Sequence, residues 1–277
     1  MTVTETGFAK GFIKLADDGY KQGYHERNGG NLSYRLTESD VSEIKSELDF
    51  SREWRDIGTD VPSLAGMFFM VTGTGEFFRN VKEMPEKTSG IIEVDPDGKK
   101  YRIVWGFSGG GRPTSEIPTH LMNHEVVMKR SGGKLRVIYH CHPVNIIALT
   151  FILPIDDGIF SRELWESMTE CPIIAPAGVG VVPWMMPGGR DIAVATSKKM
   201  EIYDAVIWAH HGIFCTGDTF DNTFGLMHML EKSAEILLKI LSVTGEKRQT
   251  IRRENFIAIE KDFHVKLNDD VLAITRE

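Results

Sequence analysis

The stretch VIYHCHPVN, residues 137–145, sets His140 and His142 two positions apart at the end of an apolar run and directly before Pro143. Residues i and i+2 of a strand leave the same face, so both imidazoles project to one side and Cys141 to the other. A buried strand ending in two convergent imidazoles is the start of a metal site, because zinc accepts neutral histidine and a catalytic zinc takes three protein ligands plus an open position. Alone, His-x-His reads first as two satisfied polar residues at a strand end, and only a second histidine motif ending another apolar strand tips it toward metal. A third ligand is available in WAHHGIF, residues 208–214, where His210 and His211 close another apolar run and Gly212 permits a tight turn. One of these two histidines is expected to face the metal.

Working outward, Phe8, Phe12, Leu15 and Ala16 recur at helical spacing after Thr4 or Thr6, which predicts an opening helix. Leu32, Tyr34 and Leu36 alternate and predict a half-buried strand after the glycine turn NGGN. Residues 37–63 are polar with weak periodicity and read as an excursion of short helix and loop. MFFMV (67–71), GIIEVD (90–95) and KYRIVWGF (100–107) read as strands, the last two joined at Pro96-Asp97-Gly98. Thr114 or Ser115 is placed to cap a helix running to about Arg130, and short helices are expected after Pro143 and over 159–169. PIIAPAG (172–178) reads as a strand and 191–202 as a helix. AVIWAHHG and IFCTG read as paired strands, followed by a long helix over 219–243.

The chain of 277 residues carries a net charge of -7, which argues against nucleic acid or an anionic membrane as partner, since either selects a basic surface. Its three cysteines, Cys141, Cys171 and Cys215, lack metal-type spacing and are odd in number, so no disulfide framework is suggested and a reducing cytoplasm is expected. The longest apolar stretch, IIALTFILPI, is too short to span a bilayer.

Three polar segments flank these elements: RNGGN (27–31), TGTG (72–75) and GRPTSE (111–116). Backbone N–H groups in such turns form anion-binding concavities, and a helix start adds partial positive charge. Each is also an ordinary turn taken singly, so they matter only if they converge. Glu116 opens a helix, where an acidic residue favours the helix dipole; beside a metal the same carboxylate would move protons. Glu170, in SMTECP, is read at the end of a helix, with solvation as its plain reading and nothing local selecting it over Glu163 or Glu166.

In order along the chain, NGGN, TGTG, PTSE, HCH and HHG resemble the class II, zinc-dependent sugar-phosphate aldolases. The longer segments GYHERNGGNLSYRL, FFMVTGTGEFFRNV, PTSEIPTHL, LWESMTECPII and GVGVVPWMMPG carry that likeness over nearly the whole chain. The resemblance implies one domain over residues 1–277, of α/β class, with a largely antiparallel central sheet between helical layers. It implies one Zn2+ per subunit on His140, His142 and His211, and Glu116 as acid/base. It places the substrate phosphate against Asn28, Gly29, Asn31, Thr74, Gly75, Thr114 and Ser115, with Thr74 standing where a serine is expected. It further implies a cyclic homotetramer with active sites near the subunit interfaces, where Glu170 serves as a second acid in a neighbouring subunit's site.

Overall fold

The computed structural model describes residues 2–277. Its regular elements, in chain order, are α1 (Gly7–Lys21), β1 (Asn31–Arg35), α2 (Glu38–Ile44), β2 (Arg55–Asp56), β3 (Phe68–Thr72), α3 (Pro85–Thr88), β4 (Ser89–Val94), β5 (Lys100–Gly106), α4 (Ile117–Ser131) and β6 (Val137–Cys141). There follow α5 (Val144–Leu149), α6 (Asp157–Trp165), α7 (Glu170–Ile174), β7 (Gly180–Val182), α8 (Arg190–Met200), β8 (Ala205–Trp208), β9 (Gly212–Gly217), α9 (Phe220–Thr244), α10 (Arg253–Phe263) and α11 (Asp269–Ile274). The strands form one sheet of order β2-β5-β4-β3-β1-β6-β9-β8-β7. Each pairing is antiparallel except β7 with β8.

The period-2 pattern of β6 explains its place at the centre. Val137, Tyr139 and Cys141 face the main core with Phe12, Leu226 and Leu230, while Ile138 joins Val127, Val206, Trp208 and Phe214 on the opposite face. Helices therefore cover both faces of the central strands. β1 accordingly departs from the half-buried expectation and is buried at all five positions. Leu32 and Tyr34 lie in the main core, and Ser33 on the other face bonds His120 and His124 of α4.

Other expectations are corrected locally. PIIAPAG is not a strand: α7 covers Glu170–Ile174, with Pro172 inside its first turn, where its missing N–H removes no helical bond, and the strand β7 begins at Gly180. Glu170 therefore opens a helix rather than ending one. The helix expected over 159–169 is Asp157–Trp165, because Asp156 accepts from the Ile159 N–H and so sets an earlier start. The cap of α4 is neither Thr114 nor Ser115 but Glu116, whose side chain does not cap. The β4–β5 hairpin forms as expected, with Gly98 at φ 70° in its turn.

Candidate active site

The ladder between β1 and β6 pairs Asn31 with His140, and that between β6 and β9 pairs His140 with Phe214, so His140 enters from the middle of the sheet. His142 follows just beyond the end of β6. The β8–β9 turn supplies the third group, and its geometry separates the two candidates. His210 takes a left-handed backbone at φ 63°, is exposed, and bonds Thr150 Oγ1 at 3.0 Å while lying over the Phe151 ring. The chain thereby turns His211 inward. Gly212 is required here, since a Cβ would run into the Cys141 carbonyl and sit 2.9 Å from the His142 ring.

The ligating atoms of His140, His142 and His211 all lie within 4.8 Å of one another. Their hydrogen bonds fix the tautomers. His140 Nδ1–H donates to the Ile213 carbonyl at 3.0 Å, and His142 Nδ1–H donates to Glu26 Oε1 at 2.6 Å. Each ring thus turns an Nε2 lone pair inward, and both Nε2 atoms are buried without a hydrogen-bond partner among the described residues. Buried polar atoms are normally satisfied, so two orphaned acceptors aimed together fit a cation. Burial holds the His140 imidazolium well below the usual histidine range, reinforced by His142 and His211; burial and His142 likewise lower His211 to about 4. Neutral imidazole is the form that binds metal.

Glu116 reaches the same place from the start of α4, with Oε2 3.8 Å from His140 Nε2. Asn31 Nδ2 donates to that oxygen at 2.9 Å, and burial raises the carboxyl against this donation. Asn31 Oδ1 is in turn held by His120 Nε2, and His120 Nδ1 and His124 Nε2 meet at Ser33 Oγ, at 2.6 and 2.8 Å. The His120–His124 pair is therefore a buried support for Asn31 and Glu116 and not part of the three-histidine cluster.

The three glycine-bearing segments converge. Gly73 and Pro113 form a bridge, Thr74 N–H donates to the Arg112 carbonyl at 3.0 Å, and Thr114 N–H donates to the Thr72 carbonyl at 2.9 Å. Thr72 Oγ1 accepts from Leu32 N–H, tying both loops to β1. Asn31 meets the third segment through its bond to Glu116, and Gly29 borders the histidines, where a Cβ would lie 2.6 Å from Glu26 Oε1 and 2.9 Å from the His142 ring. Gly75 and Ser115 are exposed, Thr74 is half-buried and Thr114 buried. The Asn31 side-chain amide bonds Glu116 through Nδ2 and His120 through Oδ1. Glu170 is exposed on α7, which packs with α6, α9 and α10, and the chain does not bring it to the histidines.

Sequence reasoning passed over Glu26 and His25. His25 is buried, stacks on Phe78, and bonds the Gly29 carbonyl and the Tyr139 hydroxyl, holding the NGGN turn in place. Their signal was their position immediately before the glycines, in HERNGGN.

Residues 11–238 match the model of the class II aldolase and adducin N-terminal domain. The chain belongs to that family. A rhamnulose-1-phosphate aldolase of Mannheimia succiniciproducens is 48% identical over 270 residues, spanning 98% of this chain and 99% of its own. One from Klebsiella pneumoniae is 44% identical over 96% of each chain. Among solved structures, a sugar-phosphate aldolase from Thermotoga maritima superposes with a TM-score of 0.71 at 31% identity, over 85% of this chain and 95% of its own. Membership in the class II aldolases accounts for the mixed sheet between helical layers. It also gives the three-histidine cluster a setting, since metal dependence is general to the family.

Proposed function

We propose that this class II aldolase reversibly cleaves L-rhamnulose 1-phosphate to dihydroxyacetone phosphate and L-lactaldehyde. The observation that carries the reading is the pair of orphaned Nε2 atoms beside the buried Glu116, in a chain that aligns over nearly its whole length with rhamnulose-1-phosphate aldolases. His140, His142 and His211 would hold one Zn2+, which when bound supplies a Lewis acid to the ketose carbonyl oxygen and its neighbouring hydroxyl, so no Schiff-base lysine is needed.

The remaining work falls to the chain. Glu116 moves the proton at the hydroxymethyl carbon of dihydroxyacetone phosphate, removing it in condensation and returning it in cleavage. Asn31 orients that carboxylate through its 2.9 Å bond. Asn28, Gly29, Asn31, Thr74, Gly75, Thr114 and Ser115 receive the substrate phosphate, the Thr74 hydroxyl serving where a serine is expected. Glu170 of a neighbouring subunit assists proton transfer at the aldehyde oxygen, within a cyclic homotetramer. Residues 1–277 act as one domain, in the cytoplasm, where its three free cysteines stay reduced.

The test is cleavage of L-rhamnulose 1-phosphate by the purified protein, before and after chelation and zinc re-addition, with bound metal measured in the same samples. Activity lost on chelation and restored with zinc is expected. Zinc-loaded, folded protein that cleaves L-fuculose 1-phosphate instead would move the substrate assignment.

A further inference from the structure

At the end of the β1–β6 ladder opposite the histidines, Arg35 and Arg136 are neighbours: Arg35 N–H donates to the Arg136 carbonyl at 2.8 Å. They stand four residues from Asn31 and His140, about 13 Å along the strands. Arg35 is the one arginine buried among the described residues, 7% exposed. Its Nη2 donates to the Gly133 carbonyl at 2.7 Å, but its Nε–H has no partner, and Arg136 Nη1 is likewise buried and unbonded. Arg102, Arg130, Arg162 and Arg253 all pair with carboxylates, whereas neither Arg35 nor Arg136 has one within salt-bridge distance among the described residues. Two adjacent guanidinium groups with unmet buried donors repel each other and lack the counter-charge that buried cations normally have.

Both line a groove of about 740 Å³ whose other walls include Leu36, Val41, Met67 and Phe68. Glu38 is the one carboxylate along it, and it is exposed and bridges neither arginine. The size is that of a small-molecule site, and paired planar guanidinium groups suit the oxygens of a phosphate or carboxylate.

We propose that Arg35 and Arg136 form a second oxyanion site, distinct from the substrate phosphate loops, which takes a phosphorylated or carboxylated small metabolite whose apolar part lies along Leu36, Val41 and Phe68. The proposal does not depend on which sugar phosphate the enzyme cleaves, because neither arginine belongs to the histidine cluster or to the three loops.

The test is phenylglyoxal labelling of the folded full-length protein, mapped by mass spectrometry, in inorganic phosphate, acetate or chloride at matched ionic strength. With phosphate or acetate at ten times its dissociation constant, labelling of Arg136 should slow about 10-fold by mass action while the exposed Arg252 is unaffected. Protection by phosphate alone identifies a phosphorylated ligand, and protection by acetate as well a general oxyanion site. Equilibrium dialysis of Arg136→Met should show one fewer bound phosphate per chain, with cleavage of L-rhamnulose 1-phosphate retained. Labelling of Arg136 at one rate in all three salts, or full phosphate binding by Arg136→Met, would overturn the site.

Discussion

Two buried polar clusters in this protein differ in one respect. At the end of the chain, Lys247 Nζ lies 2.7 Å from Glu163 and 2.6 Å from Glu166, and the Arg276 N–H donates to Glu166 at 3.0 Å. Every charge there has its complement within the chain. In the histidine cluster no cationic side chain among the described residues answers the two inward Nε2 atoms and the Glu116 carboxylate. The first cluster fastens the residues after α9 onto α6 and its C-terminal end; the second is complete only with something added. Burial of polar groups is common to both, and it is the missing partner that marks the site.

Removing groups from the two clusters should therefore have opposite signatures. The largest effect is expected for His142→Ala, which removes one inward lone pair: zinc content, measured by elemental analysis, and cleavage should fall together, activity by about 10³-fold or more, as loss of a metal's several kcal/mol of charge stabilisation implies. Retained activity in a zinc-free His142→Ala protein would break the comparison at its centre. Glu116→Gln should keep its zinc and lose about 10² to 10⁴ in kcat, the range of a positioned acid/base. Loss of zinc in that variant would make Glu116 a ligand instead.

Lys247→Met removes the buried cation that two carboxylates share, which should lower the unfolding free energy by about 3–5 kcal/mol in denaturant titration. Zinc content and kcat per folded chain should be unchanged. Burial by itself would raise Glu163, but Lys247 and Arg162 bring its carboxyl below the ordinary range. A depressed folded pKa contributes stability above the unfolded value, near 4.3, that is lost as pH falls through the folded one. The stability of wild type should accordingly decline on acidification below about pH 4.3 more steeply than that of Glu163→Gln. Equal slopes would show that the cluster does not stabilise the carboxylate form.

How far each cluster was legible depended on whether its partners are local. The histidines could be read because a period-2 strand places His140 and His142 on one side, and because HHG ends a second apolar run. Spacing left His210 and His211 open and only the family resemblance chose His211; the physical reason lies in the turn, where the left-handed position and the Thr150 bond turn His210 outward. Glu116 looked like an ordinary first-turn acid because its partner, Asn31, is 85 residues away. Ser33 looked solvent-facing for the same reason, its two histidine partners being on α4. PIIAPAG misled because a short apolar run suits a strand or a buried helical turn equally well, and Pro172 is tolerated in the first turn of either reading. Lys247 gave no local sign that it would be buried between two carboxylates of α6 and its end.

The smallest expected effect sharpens the comparison most. Glu26 is 66% exposed at its side chain, so as a surface ion pair with His142 it should matter little for stability. As the acceptor that fixes the His142 tautomer it should matter for metal, because such outer partners orient a ligand and raise its basicity. Glu26→Gln keeps the size and an oxygen acceptor but removes the charge. Zinc affinity, measured by competition with a chromogenic chelator, should weaken by about 10- to 100-fold with the unfolding midpoint of the metal-free protein unchanged. Unaltered affinity would mean that His142 is oriented by the sheet and Gly212 alone, and the incomplete cluster would then end at its three rings.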